Sequence, residues 1–208
     1  GGNTAMSKRF VPYNTVRNDA LKLAKKIYDD GFMPDVIYVP LRGGAYMGNA
    51  FSEFFKLVNP RERPVFYAAV VARSYTDLLQ SDRVRIDGWT YNPEHLRNGD
   101  KVLFVDDIFD TGRTINYLVE CILEKGLPRK DVKIAVHDYK VTQSSLHLPI
   151  TPDYWCSKMV VEKPEDEEWI HYMSHELEGL TDDEIAKYYL SEDPGLKEVF
   201  DLIRKNQR

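Results

Sequence analysis

Val102-Leu103-Phe104-Val105-Asp106-Asp107-Ile108-Phe109-Asp110-Thr111-Gly112-Arg113-Thr114 carries an apolar strand into two adjacent acids, a third acid and a small polar turn. The turn opens onto a helical pattern from Thr111 to Lys125 that Gly126 closes. In parallel α/β sheets, binding grooves lie beyond the carboxyl ends of strands, and these acids fall there. The turn Asp110 to Thr114 can aim backbone N–H groups, its threonine hydroxyls and a helix N-terminus at one anion. Gly112 lets the backbone come close to that anion. Carboxylates repel a phosphate but can hold sugar hydroxyls and a cation. A phosphorylated sugar presents this combination, with phosphate at one end and a vicinal diol at the other. A solvated helix cap would explain any one of these residues, but not the ordered string. The run lacks the G-x-x-x-x-G-K-[ST] spacing of a nucleotide triphosphate loop.

On either side the chain alternates strand and helix patterns, which predicts an α/β fold with a largely parallel sheet. Thr15 to Asp30 places Val16, Ala20, Leu23, Ala24 and Ile27 at helical spacing, and Gly31 ends the run. Asp35 to Pro40 reads as a buried strand, followed by a turn at Leu41-Arg42-Gly43-Gly44 and a helix from Ala45 to about Leu57. Pro64 to Ala72 reads as a strand, and Arg73 to Asn98 as a long polar stretch, functional or disordered. The apolar strand before the acids spans Lys101 to Val105. Asp131 to Asp138 and Asp153 to Glu162 read as two more strands. Thr181 to Glu184 has capping-box spacing, and Pro194 to Lys205 is amphipathic.

The 208 residues suit one domain with a small appendage. A net charge of -5 argues against non-specific binding to nucleic acid or an acidic membrane. No apolar run is long enough to span a bilayer, and the expected compartment is the cytoplasm. Cys121 and Cys156 have no metal-like spacing and read as reduced thiols. His95, His137, His147, His171 and His175 likewise show no ligand spacing. Gly1 to Ala5 precede Met6 and read as an expression scar.

The acidic string resembles the 5-phosphoribosyl-1-pyrophosphate (PRPP) motif of type I phosphoribosyltransferases. Over about Asp35 to Glu176 the chain is similar to the hypoxanthine, guanine and xanthine members. The resemblance implies a mainly parallel sheet flanked by helices, with a small hood, over residues 6–176, and a C-terminal helical extension over 177–208. It implies that Asp106, Asp107, Asp110, Thr111, Gly112, Arg113 and Thr114 bind PRPP, Asp110 also serving as proton acceptor at purine N7. Leu41-Arg42-Gly43-Gly44 is similar to the family's pyrophosphate loop, whose cis peptide would fall at Leu41–Arg42. Glycines for tight helix–strand packing are the plainer reading. A dinucleotide fingerprint fits poorly, because Gly43, Gly44 and Gly48 are not spaced as G-x-G-x-x-G.

By the same resemblance Ser74 and Tyr75 begin a mobile lid that excludes water from a cation-like sugar, where a surface hairpin is the alternative. Lys140 would donate to a purine 6-oxo group; an ammonium is a pure donor and disfavours the amino group of adenine. Trp169 would stack on the base and Ile170 would offer backbone groups to its edge. Magnesium would be held by Asp106 and Asp107, with Glu176 at a second metal, although the family usually has Asp there. The expected reaction joins the phosphoribosyl group to a 6-oxopurine in purine salvage, by a dimer or tetramer. The alternatives are a regulatory PRPP or purine sensor of the same fold, and a transferase acting on another base such as a pyrimidine.

Overall fold

The computed structural model describes residues 7–171 and 175–207. The chain divides between residues 174 and 175 into two compact units. The residues read as an expression scar, and Met173 and Ser174 of the C-terminal motif, lie outside the described residues.

In the larger unit, strands β1 (Ser7–Phe10), β2 (Val36–Pro40), β3 (Phe66–Thr76), β4 (Asp82–Trp89), β5 (Val102–Phe109), β6 (Val132–Val141), β7 (Tyr154–Val160) and β8 (Glu168–His171) alternate with helices α1 (Tyr13–Asp29), α2 (Ala45–Val58) and α3 (Arg113–Leu123). Six strands form one sheet in the order β4-β3-β2-β5-β6-β7, and β1 pairs with β8 in a separate parallel ribbon. All pairs in the large sheet are parallel except β3 with β4. Buried on both faces, β2 has no exposed residue, as expected of a central parallel strand.

The two faces follow from alternation along the strands. Ile37, Val39, Leu103, Val105 and Ala135 pack under α1 and α2. Val36, Tyr38, Val102, Phe104, Ile134 and Val136 pack under α3. The predicted α1 stripe is buried in full: Val16, Ala20, Leu23, Ala24 and Ile27.

The stretch Arg73 to Asn98 is not structureless. β3 runs on to Thr76 and returns as β4, with Tyr75 opposite Arg83. Val84 and Ile86 supply the alternation of a half-buried strand, and the polar face is laced by Arg73–Asp87 and Arg83–Asp77 ion pairs. The turn is closed by Asp77, whose Oδ1 accepts from Leu79 and Ser81 N–H groups. Residues 66–89 therefore form an antiparallel hairpin. The strand before the acids is also longer than its apolar run, since β5 continues through both acids to Phe109.

The smaller unit contains α4 (Asp182–Ile185), continued by a wider turn at Ala186–Leu190, and α5 (Lys197–Asn206). Its start has the predicted capping box: Thr181 Oγ1 accepts from Glu184 N–H, and Glu184 Oε1 accepts from Thr181 N–H. Among the described residues no helix is long and apolar enough to cross a membrane.

Candidate active site

The face alternation of β5 breaks at the two acids. Val105 and Ile108 both pack towards α1 and α2, whereas strict alternation would put them on opposite faces. At this point each acid bonds the backbone N–H that follows it. Asp106 Oδ1 accepts from the Asp107 N–H and Asp107 Oδ1 accepts from the Ile108 N–H, at 2.9 and 2.7 Å. Both carboxylates thus stay at the carboxyl end of the sheet while the strand continues. Burial first, then the neighbouring charge of Asp107, push the Asp106 carboxyl well above the usual carboxylate range.

The glycine loop is brought against these acids. A Cβ built on Gly43 would lie 2.7 Å from Asp107 Oδ1 and 2.8 Å from Asp106 Oδ1. One built on Gly44 would lie 2.2 Å from the Val105 carbonyl oxygen, so neither position accepts a side chain without movement. The Leu41–Arg42 peptide is cis. Gly48 serves packing, since a Cβ there would meet Val39 Cγ1 at 2.2 Å. Close packing against Asp106, Asp107, Val105 and Val39 therefore favours glycine at all three positions.

Helices α2 and α3 start at the carboxyl ends of the adjacent strands β2 and β5. Each is preceded by a glycine, Gly44 or Gly112, that supplies no capping side chain. Two helix N-termini of this kind offer backbone N–H groups and positive dipole ends to anions. Gly112 has φ +73°, and a Cβ there would strike Phe109 Cζ at 2.3 Å and Leu148 Cδ1 at 2.6 Å, so glycine is required on two counts.

The hairpin lies against the start of α3. Ser74 Oγ is 3.2 Å from Thr114 Oγ1, and Asp82 pairs with Arg113. Asp110 and Thr111 remain exposed. Lys140 is buried at 5% exposure, with Nζ 3.7 Å from Asp110 Oδ2 and 2.5 Å from Glu167 Oε1. On β8, Trp169 is exposed and Ile170 buried, and Lys8 Nζ sits 5.0 Å from a Trp169 ring centroid. Glu176 belongs to the smaller unit, where its Oε2 accepts from the Tyr189 hydroxyl at 2.9 Å.

The structure therefore joins Asp106 and Asp107 with Gly43, Asp110 with Lys140, and Ser74 with Thr114. It adds Glu167 and Asp82, which sequence reasoning missed. Glu167 sits in the acidic run Glu165 to Glu168, which reads as a solvated face, so local pattern carried no signal.

The phosphoribosyl transferase domain model matches residues 13–170. The chain belongs to the phosphoribosyl transferase domain family. The chain is 23% identical to the bifunctional protein PyrR of Halalkalibacterium halodurans over 171 residues, 77% of this chain and 88% of that one. Among solved structures, a purine phosphoribosyltransferase from Pyrococcus horikoshii superposes with a TM-score of 0.59 at 22% identity, covering 79% of this chain and 91% of that one. A hypothetical protein from Neisseria gonorrhoeae with bound ppGpp superposes with a TM-score of 0.65 at 20% identity, covering 91% and 99%. At these identities the structural matches establish the fold, type I phosphoribosyltransferase.

Proposed function

We propose that the protein transfers the 5-phosphoribosyl group of PRPP to N9 of a 6-oxopurine and releases pyrophosphate. The observation that carries the reading is the pairing of Lys140 with Asp110 beside the phosphate-type loop. A 6-oxopurine presents O6 and N7 on one edge. Lys140 Nζ would donate to O6, and Asp110 would accept the proton from N7 as N9 bonds to the ribose. Adenine, with an amino group at the same place, would face a second donor.

Thr111 to Thr114 and the start of α3 would hold the 5-phosphate, while Asp106 and Asp107 would face the ribose hydroxyls. The carbon–oxygen bond to pyrophosphate would lengthen first, leaving a cation-like ribose. The departing anion would be received at Arg42, Gly43, Gly44 and the start of α2. Trp169 would stack on the base and Ile170 would meet its edge with backbone groups. Ser74 and Tyr75 belong to a hairpin over the phosphate loop and would exclude water. Asp106 and Asp107 also fit magnesium, which is commonly bound through one or two carboxylates plus substrate oxygens. When bound, the ion would neutralise the leaving charge. A dimer or tetramer is the expected assembly.

A sensing role is a second reading, favoured by the extent of the match to the ppGpp-bound Neisseria protein. The same loops could hold a guanine nucleotide without turnover.

The direct test of the PRPP site is calorimetry with magnesium on Asp106→Asn/Asp107→Asn. Asparagine keeps an oxygen for the Asp107 and Ile108 N–H groups, so the fold should survive while PRPP affinity is lost. A folded double variant with unchanged affinity would remove the PRPP site from Asp106 and Asp107.

A further inference from the structure

The β1–β8 ribbon carries the proposed base-stacking Trp169 but shares no strand pairing with the six-stranded sheet. Two ionic tethers join it to β6. Glu167, just before β8, reaches Lys140 directly at 2.5 Å. Glu168 accepts from Arg9 Nε at 2.6 Å, and the same guanidinium donates through Nη2 to Asp138 Oδ1 at 2.7 Å. Successive acids at the start of β8 are thus fixed to alternate residues of β6. Behind them, Asp138 Oδ2 is 2.6 Å from His137 Nδ1, and His137 Nε2 is 2.8 Å from Asp19 Oδ2 on α1. Asp138 and His137 are 2% and 3% exposed.

The chain runs from the part-exposed Arg9–Glu168 pair to the buried Asp138 and His137; ion pairs of either kind add little net stability compared with apolar packing, and their best-attested use is to fix register. Apolar contact already holds the ribbon down, through Val11 and Ile170 in the α1–α2 core. That contact is non-directional; the charged chain sets where along β6 the ribbon sits.

Resting on the phosphoribosyl-transfer reading, we infer that Arg9, Glu168 and Asp138 are positioning residues for the base. They hold the Trp169 ring at a fixed offset from Lys140, so the stacking face and the 6-oxo donor meet one base together.

Arg9→Gln and Glu168→Gln break the bridge by neutral replacements, and Arg9→Lys keeps the charge without the two-nitrogen fork. The expected result is a rise in KM for the base of about tenfold in Arg9→Gln and Glu168→Gln, the scale of one lost charged hydrogen bond. KM for PRPP should stay within about twofold, below that scale. Arg9→Lys should recover part of the base KM. Hydrogen exchange should quicken in β1 and β8 but not in β5 or β6. Unchanged exchange in the ribbon overturns the tether. Quickened exchange with unchanged base KM, or with equal rises in both KM values, overturns the positioning role. Wild-type protein that turns over no base with PRPP sinks the transfer reading and this inference together. A working wild type with unaffected variants sinks this inference alone.

Discussion

Residues in the site are constrained by what lies within a few ångströms, and Gly43 and Gly44 separate function from folding. A methyl group at Gly43 meets the Asp106 and Asp107 carboxylates, whereas one at Gly44 meets the Val105 backbone carbonyl at 2.2 Å. Carboxylates can swing aside; a central strand cannot. Gly43→Ala is expected to keep its unfolding midpoint and weaken PRPP binding by on the order of tenfold. Gly44→Ala should lose about 1–3 kcal/mol of stability, the range for overpacking a filled interior. Urea unfolding beside PRPP titration distinguishes them, and equal effects on both properties in both variants would contradict it. Lys140→Gln is the matching test of base choice. It should lose about 1.5–3 kcal/mol of transition-state binding for a 6-oxopurine, the scale of a hydrogen bond to a charged group. Discrimination against adenine should shrink too, since the repulsive donor is gone. A kcat/KM for 6-oxopurines within about twofold of wild type would make Lys140 a structural partner of Glu167 only.

At the scale of elements, the α1–β6 contact contains a titrating group. Burial alone would lower the His137 pKa, but the hydrogen bonds and charges of Asp138 and Asp19 outweigh it and raise it. Arg9 faces Asp138 from β1. Cys156, near the same acids, has its thiol pushed up to about 12, by burial first and then by Asp19 and Asp138. An imidazole with a raised folded pKa contributes stability that is fully present below the unfolded value of about 6.5. That contribution is lost as pH rises through the folded pKa. Wild type should therefore exceed His137→Gln in urea stability by most in mildly acidic buffer, the gap narrowing as pH climbs. A gap that widens with pH would contradict the assignment.

The same elements show what sequence could convey. Helices α1 and α2 and the central strands were legible because a period of 3.6 or an unbroken apolar run survives in one chain segment. The β3–β4 hairpin was hidden because only Val84 and Ile86 mark its apolar face, and the charges around them are matched by partners elsewhere along the hairpin, Arg83 with Asp77 and Arg73 with Asp87. The ribbon β1–β8 pairs residues about 160 positions apart, Ser7 with Glu168, and no local pattern announces such a contact. In the site, Asp106 to Thr114 and Leu41 to Gly44 were readable as ordered strings. Glu167 and Asp82 were not, because their roles depend wholly on tertiary neighbours.

For the whole molecule, the family and the fold are fixed, while the reaction is the proposal made above. Leu41 to Gly44, Asp106 to Thr114, Lys140 and Trp169 come from separate segments, and the proposed transfer from PRPP to a base gives each of them a place. The most direct measurement is a panel assay of the full chain with PRPP and magnesium against hypoxanthine, guanine, xanthine, adenine and uracil, following pyrophosphate release and nucleotide formation. Nucleotide should form with at least one 6-oxopurine, together with stoichiometric pyrophosphate, and adenine should be a poor acceptor. Folded protein that forms nucleotide only with uracil or adenine, or with no base at all, would contradict it.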